Sequence, residues 1–207
     1  MNYESLIFDI DGTLWDSRAL VAEGYNIQLR EEGYPHLCVT AEDLKPLFGK
    51  VMTDIADAIL GSIPEAKRYD LMDRCMKTEN DYLFDNPCDI GYPNVKETIA
   101  KLAEKHRIFI VSNSQCGYPE LCISKLGLTP YISGHLCFGD TGTSKGKTIR
   151  TLMEKHAIES CIYIGDTQGD LEACREAGVP FIFAAYGLGE ADSWDGKIDS
   201  IADLLQM

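Results

Sequence analysis

Five short apolar runs, at 6–8, 108–111, 134–138, 162–164 and 181–185, constrain this chain more than any other feature. Each is bounded by polar or glycine residues and reads as a buried β-strand. Helical patterns lie between the later runs, at 148–156 and 171–177, and Gly178 stops the second. Strands that alternate with helices run parallel, because a crossover helix carries the chain back to the same end of the sheet. The expected fold is therefore α/β: a doubly wound, Rossmann-like parallel sheet.

One stretch breaks the alternation. Between Asp16 and about Asn86 there is no convincing strand. Leu20, Val21, Tyr25 and Leu29 follow helical spacing. Thr40-Ala41-Glu42-Asp43 offers a capping box ahead of Leu44 and Leu47. Pro64 opens another helix, through Leu71, Met72, Cys75 and Leu83. The expectation is a core built from 1–15 and 87–207 and a small helical cap at 16–86, inserted after the first strand. Residues 87–93 read as the returning linker, and Pro93 starts a helix through Val95, Ile99 and Leu102. Trp15 is expected to pack under the cap, with contact to a substrate as the alternative.

A chain of 207 residues buries enough surface to need no disulfide or zinc staple. It carries 33 acidic residues against 19 basic ones, a net charge of −14. Such a surface repels nucleic acid, and any phosphate site within it must supply its own cations. No apolar run is long enough to span a bilayer, and the N-terminus runs straight into a strand. Cys38, Cys75, Cys88, Cys116, Cys122, Cys137, Cys161 and Cys174 form no C-x-x-C pair. They read as small buried or partly buried thiols of a reducing cytoplasm rather than as zinc ligands. The four histidines show no metal-ligand spacing.

Chemistry-bearing residues fall at the strand ends. Asp9-Ile10-Asp11-Gly12-Thr13 follows the first run. Two carboxylates there, at the carboxyl end of a sheet where such folds bind ligands, repel unless their roles differ or a cation lies between them. One can bind metal and attack as a nucleophile while the other moves a proton. Ser112-Asn113-Ser114 follows the second run, with a hydroxyl and backbone N–H groups suited to phosphate oxygens. Residues 139–148 offer Lys145 and Lys147 on a glycine-rich loop. Gly146-Lys147-Thr148 fits the end of a nucleotide phosphate loop, but Thr141 stands where its first glycine belongs. Asp166 and Asp170 follow the fourth run, four residues apart, and as hard oxygen ligands beside a phosphate they suggest Mg2+. Gly187-Leu188-Gly189 reads as a plain loop.

Taken together, D-x-D-G-T at 9–13, a strand ending in Ser112, a downstream lysine and G-D-x-x-x-D at 165–170 resemble the haloacid dehalogenase superfamily of phosphohydrolases, in that family's order. The likeness covers essentially the whole chain, and the cap resembles that of phosphoglycolate phosphatase-like members. It implies that Asp9 attacks phosphorus and becomes an aspartyl phosphate. Asp11 then protonates the leaving oxygen and activates the hydrolytic water. Ser112 holds a phosphoryl oxygen, with Gly12, Thr13 and Asn113 beside it at the phosphate. Lys145, preferred over Lys147 because it lies in the loop, neutralises charge. Mg2+ is bound by Asp9, Asp166, the backbone carbonyl of Asp11, and Asp170 directly or through water. Lys50, in the Phe48-Gly49-Lys50 segment where relatives carry a specificity loop, reaches an anionic leaving group.

The implied function is a Mg2+-dependent phosphatase for a small phosphorylated metabolite, acting in the cytoplasm as a monomer or homodimer without nucleic-acid or membrane partners. A sugar phosphomutase of the same fold is the nearest alternative. A nucleotide-binding protein using Gly146-Lys147-Thr148, or a non-catalytic binding protein, stands further off.

Overall fold

Six parallel strands form one sheet in the order β3-β2-β1-β4-β5-β6, in a computed structural model that describes residues 3–207. The first two residues of the expected 1–15 core segment lie outside the described residues. The strands are β1 (Ser5–Phe8), β2 (Arg107–Ser112), β3 (Ile132–Cys137), β4 (Cys161–Gly165), β5 (Phe181–Ala184) and β6 (Gly196–Ile198). β1, β4 and β5 are buried along their whole length. Covered faces of this kind explain why these strands read as continuous apolar runs rather than alternating ones.

The expected strand at 134–138 starts two residues earlier, at Ile132, and gives up Phe138 to a short helix. β6 adds an edge strand that the sequence does not announce. It is three residues long and includes a half-exposed glycine and an exposed lysine, so it carries no apolar run.

The helices are α1 (Arg18–Glu31), α2 (Ala41–Leu44), α3 (Met52–Ile59), α4 (Glu65–Asp85), α5 (Val95–Leu102), α6 (Tyr118–Lys125), α7 (Phe138–Thr141), α8 (Lys145–Lys155) and α9 (Gln168–Ala177). α1 to α4 all fall between β1 and β2, where the sequence shows no strand. The Thr40/Asp43 capping box forms as expected. The insert leaves and rejoins the sheet along one seam. Trp15 bridges Gly91, the Asp16 amide donates to the Ile90 carbonyl (2.9 Å), and the Tyr92 amide to the Leu14 carbonyl (3.0 Å). A continuous apolar core runs from Leu6, Phe8 and Ile10 through Leu14 and Trp15 to Tyr25, Ile55, Leu71 and Met72 of the insert.

Two helix starts differ from expectation. α8 begins at Lys145 rather than at Thr148, because the Ser144 hydroxyl accepts from the Lys147 amide and caps it. Lys145 is therefore the first residue of the helix and not part of the loop. α9 begins at Gln168 behind a reciprocal capping box of Thr167 and Asp170. Of the eight cysteines, Cys38, Cys88 and Cys116 are exposed, against the expectation of burial; they sit in connecting segments. Among the described residues, no helix is long and apolar enough to cross a membrane.

Candidate active site

The strand order reverses between β1 and β4, and open α/β sheets place their ligand crevice at that switch point. Register brings the two ends together. Phe8 pairs with Ile164, and the Asp9 amide donates to the Ile164 carbonyl at 2.9 Å. Asp9 thus stands beside Gly165 and Asp166, although they lie over 150 residues away in sequence.

Asp9, Asp166 and Asp170 each offer a carboxylate oxygen within 4.8 Å of the others, and all three are buried. Lys145 joins them. Its Nζ donates to Asp9 Oδ1 at 2.9 Å and to Asp170 Oδ1 at 2.7 Å. Burial opposes the ammonium, but the two aspartates hold its pKa well above the usual lysine range. Asp9 is pushed well above the carboxylate range by burial, despite Lys145 and with repulsion from Asp170 and Asp166 added. Asp166 rises to about 7 for the same reasons, against amide hydrogen bonds that favour its anion. Those amides come from Leu188 (2.8 Å) and Gly189 (3.1 Å), both on Asp166 Oδ2. The loop at 187–189 therefore belongs to the site, which its composition does not reveal.

Three carboxylates against one ammonium leave two negative charges uncompensated when all are ionised. Asp166 Oδ1 is buried with no hydrogen-bond partner. A hard divalent cation fits both the charge deficit and that bare oxygen. Asp170 is differently placed. Its Oδ2 caps α9 through Thr167 (2.7 and 3.0 Å), and its Oδ1 takes Lys145 and the Tyr163 hydroxyl (3.3 Å). It steadies the lysine and the helix start as well as adding charge.

The Asp11 carboxylate stands outside this cluster. Its Oδ1 accepts from Trp15 Nε1 (2.9 Å), the Ser17 hydroxyl (2.7 Å) and the Tyr118 hydroxyl (2.7 Å). Burial raises its pKa, while those three hydrogen bonds favour the anion. All three donors fall on one oxygen, so the carboxyl is aimed but not fully consumed. Trp15 is wholly buried, edge-on to Tyr118 at 5.5 Å, which makes it a positioning group for Asp11.

Of Gly12 and Thr13, both expected at the phosphate, the Thr13 hydroxyl is buried without a partner. Both amides are spent inside the turn, on the carbonyls of Trp15 (2.9 Å) and Ile10 (3.1 Å). Gly12 is required because its φ is +82° and a Cβ there would fall 2.1 Å from Asp166 Oδ2. Ser112 is buried, and its Oγ accepts from the Ser114 amide (3.2 Å), so its own proton is not used in that bond.

A small cavity of about 40 Å3 opens between insert and sheet, lined by Asp9, Asp11, Ser112, Asn113, Glu79 and Lys50 among others. Asn113 Nδ2 donates to the Gly49 carbonyl at 2.7 Å, tying the sheet to the segment that carries Lys50. Lys50 is itself exposed.

Lys147 faces solvent, Gly146 packs against Glu176 and Ala173 of α9, and the Thr148 hydroxyl is engaged with that of Thr141 at 2.7 Å. Those observations remove the phosphate-loop reading. Cys116, Cys137 and Asp140 also converge within 4.8 Å. Burial pushes the Cys137 thiol up to about 12, and it donates to Asp140 (3.2 Å), so it behaves as a structural thiol rather than a thiolate ligand.

Glu79, on α4, escapes sequence reading because it sits among surface charges of an amphipathic helix. It is 3% exposed, and burial pushes its carboxyl up to about 8 from an ordinary 4.5, opposed by Tyr25 and Gln115 and assisted by Asp11. Tyr25 of α1, Cys75 of α4, Asp11 and Tyr118 of α6 are the titratable groups around it. A carboxyl that holds its proton more tightly when folded makes stability fall as pH rises between those two values. Glu79→Gln is accordingly expected to match the native chain near pH 4.5 and to exceed it by roughly 2–4 kcal/mol above pH 8, read as Tm across pH. A constant difference at all pH values would contradict the assignment.

The pattern of the haloacid dehalogenase-like hydrolases matches residues 6–184. Phosphoglycolate phosphatases of Xanthomonas campestris pv. campestris and Agrobacterium fabrum are 27% and 29% identical to this chain, over 94% and 95% of it and 90% and 87% of their own lengths. A predicted phosphoglycolate phosphatase from Haemophilus somnus superposes with a TM-score of 0.83 at 21% identity, covering 100% of this chain and 98% of that one. A haloacid dehalogenase-like hydrolase from Streptococcus pneumoniae gives 0.83 at 17%, covering 99% and 97%. At such identities the structures speak for the fold. The sequence match spans β1 to β5 and contains every acid gathered at the switch point, and the chain belongs to the haloacid dehalogenase-like hydrolase family.

Proposed function

We propose that this phosphatase enzyme hydrolyses a small phosphorylated metabolite in two steps on Asp9, beneath a cap formed by 16–86. The observation that carries the reading is the division of labour among the acids. Asp9, Asp166 and Asp170 gather around Lys145, while Asp11 is held apart by its own three donors.

An Asp9 carboxylate oxygen attacks phosphorus, and the bond from phosphorus to the leaving oxygen breaks. Asp11 gives its proton to that oxygen, a role that suits a buried carboxyl with a raised pKa. Asp11 then takes a proton from the water that attacks the aspartyl phosphate, releasing phosphate and restoring the Asp9 carboxylate. Lys145 offsets charge on Asp9 throughout. The Ser112 hydroxyl donates to a phosphoryl oxygen. Asp9 and Asp166, with the Asp11 backbone carbonyl and with Asp170 behind them, would hold Mg2+, which when bound supplies the charge neutralisation that lets one anion approach another.

The test is phosphate release from p-nitrophenyl phosphate with and without Mg2+. Activity is expected to disappear in EDTA and return with Mg2+, and saturating Mg2+ is expected to stabilise the fold by about 2–3 kcal/mol. Hydrolysis indifferent to EDTA, or a Tm indifferent to Mg2+, would defeat the metal assignment.

A further inference from the structure

Three buried polar atoms on the walls of the cavity between insert and sheet have no hydrogen-bond partner. Glu79 Oε2 is buried without a partner, and Glu79 as a whole is 3% exposed. Asn113 spends its Nδ2 on the Gly49 carbonyl at 2.7 Å, and what remains, Oδ1, is also buried and unpartnered. Both residues line the same cavity as Asp9 and Asp11, as does Ser114, whose hydroxyl is likewise unpartnered.

The position of Glu79 is built rather than incidental. A Cβ on Gly24 of α1 would fall 2.7 Å from the Glu79 Cα, so the two helices touch backbone to backbone at this point. The side chain is thereby set against the core side of the insert. Gln115, next along from Ser114, reaches back to the same helix, with Nε2 donating to Asn80 at 3.1 Å and approaching Glu79 Oε1 at 3.5 Å. Buried acceptors left bare cost free energy, and a ligand that supplies donors recovers it.

We propose that Glu79 and Asn113 form the leaving-group subsite, and that the alcohol released by this enzyme carries a hydrogen-bond donor, an amine or a hydroxyl, rather than a carboxylate. The proposal rests on the phosphatase reading above and names its substrate class. A glycolate-like carboxylate placed here would meet three acids, Asp9, Asp11 and Glu79, against one lysine, the exposed Lys50, and the hydroxyls of Tyr25 and Ser114. An ammonium or hydroxyl would instead meet acceptors that lack partners. The raised pKa of Glu79 agrees with this placement, since burial disfavours its anion by more than the Tyr25 and Gln115 hydrogen bonds favour it.

The experiment compares phosphoethanolamine, glycerol phosphate and phosphoglycolate, all with Mg2+, in the native chain and in Glu79→Gln. The native kcat/KM is expected to favour each donor-bearing ester over phosphoglycolate by at least about tenfold, and Glu79→Gln to shrink the phosphoethanolamine to phosphoglycolate ratio by about tenfold. A merely structural role for Glu79 would lower all three together and leave the ratio alone, which would overturn the assignment. So would phosphoglycolate matching or beating both donor esters in the native chain. The same order is read as Kd by calorimetry in Asp9→Asn, with and without Glu79→Gln. Binding in that order without any turnover of the three esters or of p-nitrophenyl phosphate in the native chain would count against the phosphatase reading and for the subsite.

Discussion

Asp9→Asn is expected to abolish turnover, by at least about 1,000-fold, while leaving the fold and its melting behaviour close to native. An amide has the shape of the carboxylate and can still accept a hydrogen bond from Lys145. It has no anionic oxygen with which to attack phosphorus. Burial, and then two neighbouring acids, push the Asp9 pKa up, so removing its charge relieves desolvation and repulsion even as it weakens one bond to Lys145. The two effects on stability oppose each other, whereas the effect on chemistry is one-sided. Phosphate release measured alongside circular dichroism checks both halves. Substantial activity in a folded variant would remove Asp9 as nucleophile.

Lys145→Met is expected to cost the metal-free protein about 3–5 kcal/mol, with activity falling by a further large factor. The methionine fills the space of the stem but leaves Asp9 and Asp170 without their shared cation. Three buried carboxyl groups then face one another with only amides and hydroxyls for relief. The deficit is expected to shrink as pH falls, because the acids take up protons and no unpaired charge remains. Mg2+ is expected to recover part of it at neutral pH. Urea unfolding at several pH values, with and without Mg2+, reads this directly. Lys147→Met, on the solvent side of the same helix turn, is expected to change stability by less than about 0.5 kcal/mol. Equal losses in the two variants would show that the ion pairs to Asp9 and Asp170 do not organise the site.

Most of the sheet and the clustered acids were legible because their signals are local. An apolar run followed by an acid names a strand end in a few residues, and β1 with Asp9 and β4 with Asp166 are read that way. The position of Lys145 was legible, but its setting was not. The capping serine starts the helix three residues before the apolar pattern does, so the lysine points from a helix start rather than from a loop. What the sequence concealed depends on pairings across long separations. Tyr118 reaches Asp11 over 107 residues, the 188 and 189 amides reach Asp166, and Gln115 reaches α4. Glu79 looks like any charge on a solvated helix until α1 closes over it. Gly12 has a further reason that its motif position does not show: its bare Cα makes room for Asp166.

The seam at which the insert leaves and rejoins the sheet has a practical consequence. Trp15 bridges Gly91 there, and the same indole donates to Asp11; Ser17, one residue past the crossing, does so too. A chimaera that exchanged this insert for a homologue's at residue 16 would cut through the scaffold of Asp11. Transplanting leaving-group preference between such proteins therefore requires carrying Trp15, Ser17 and Tyr118 as one block, with the graft junction moved down into β1.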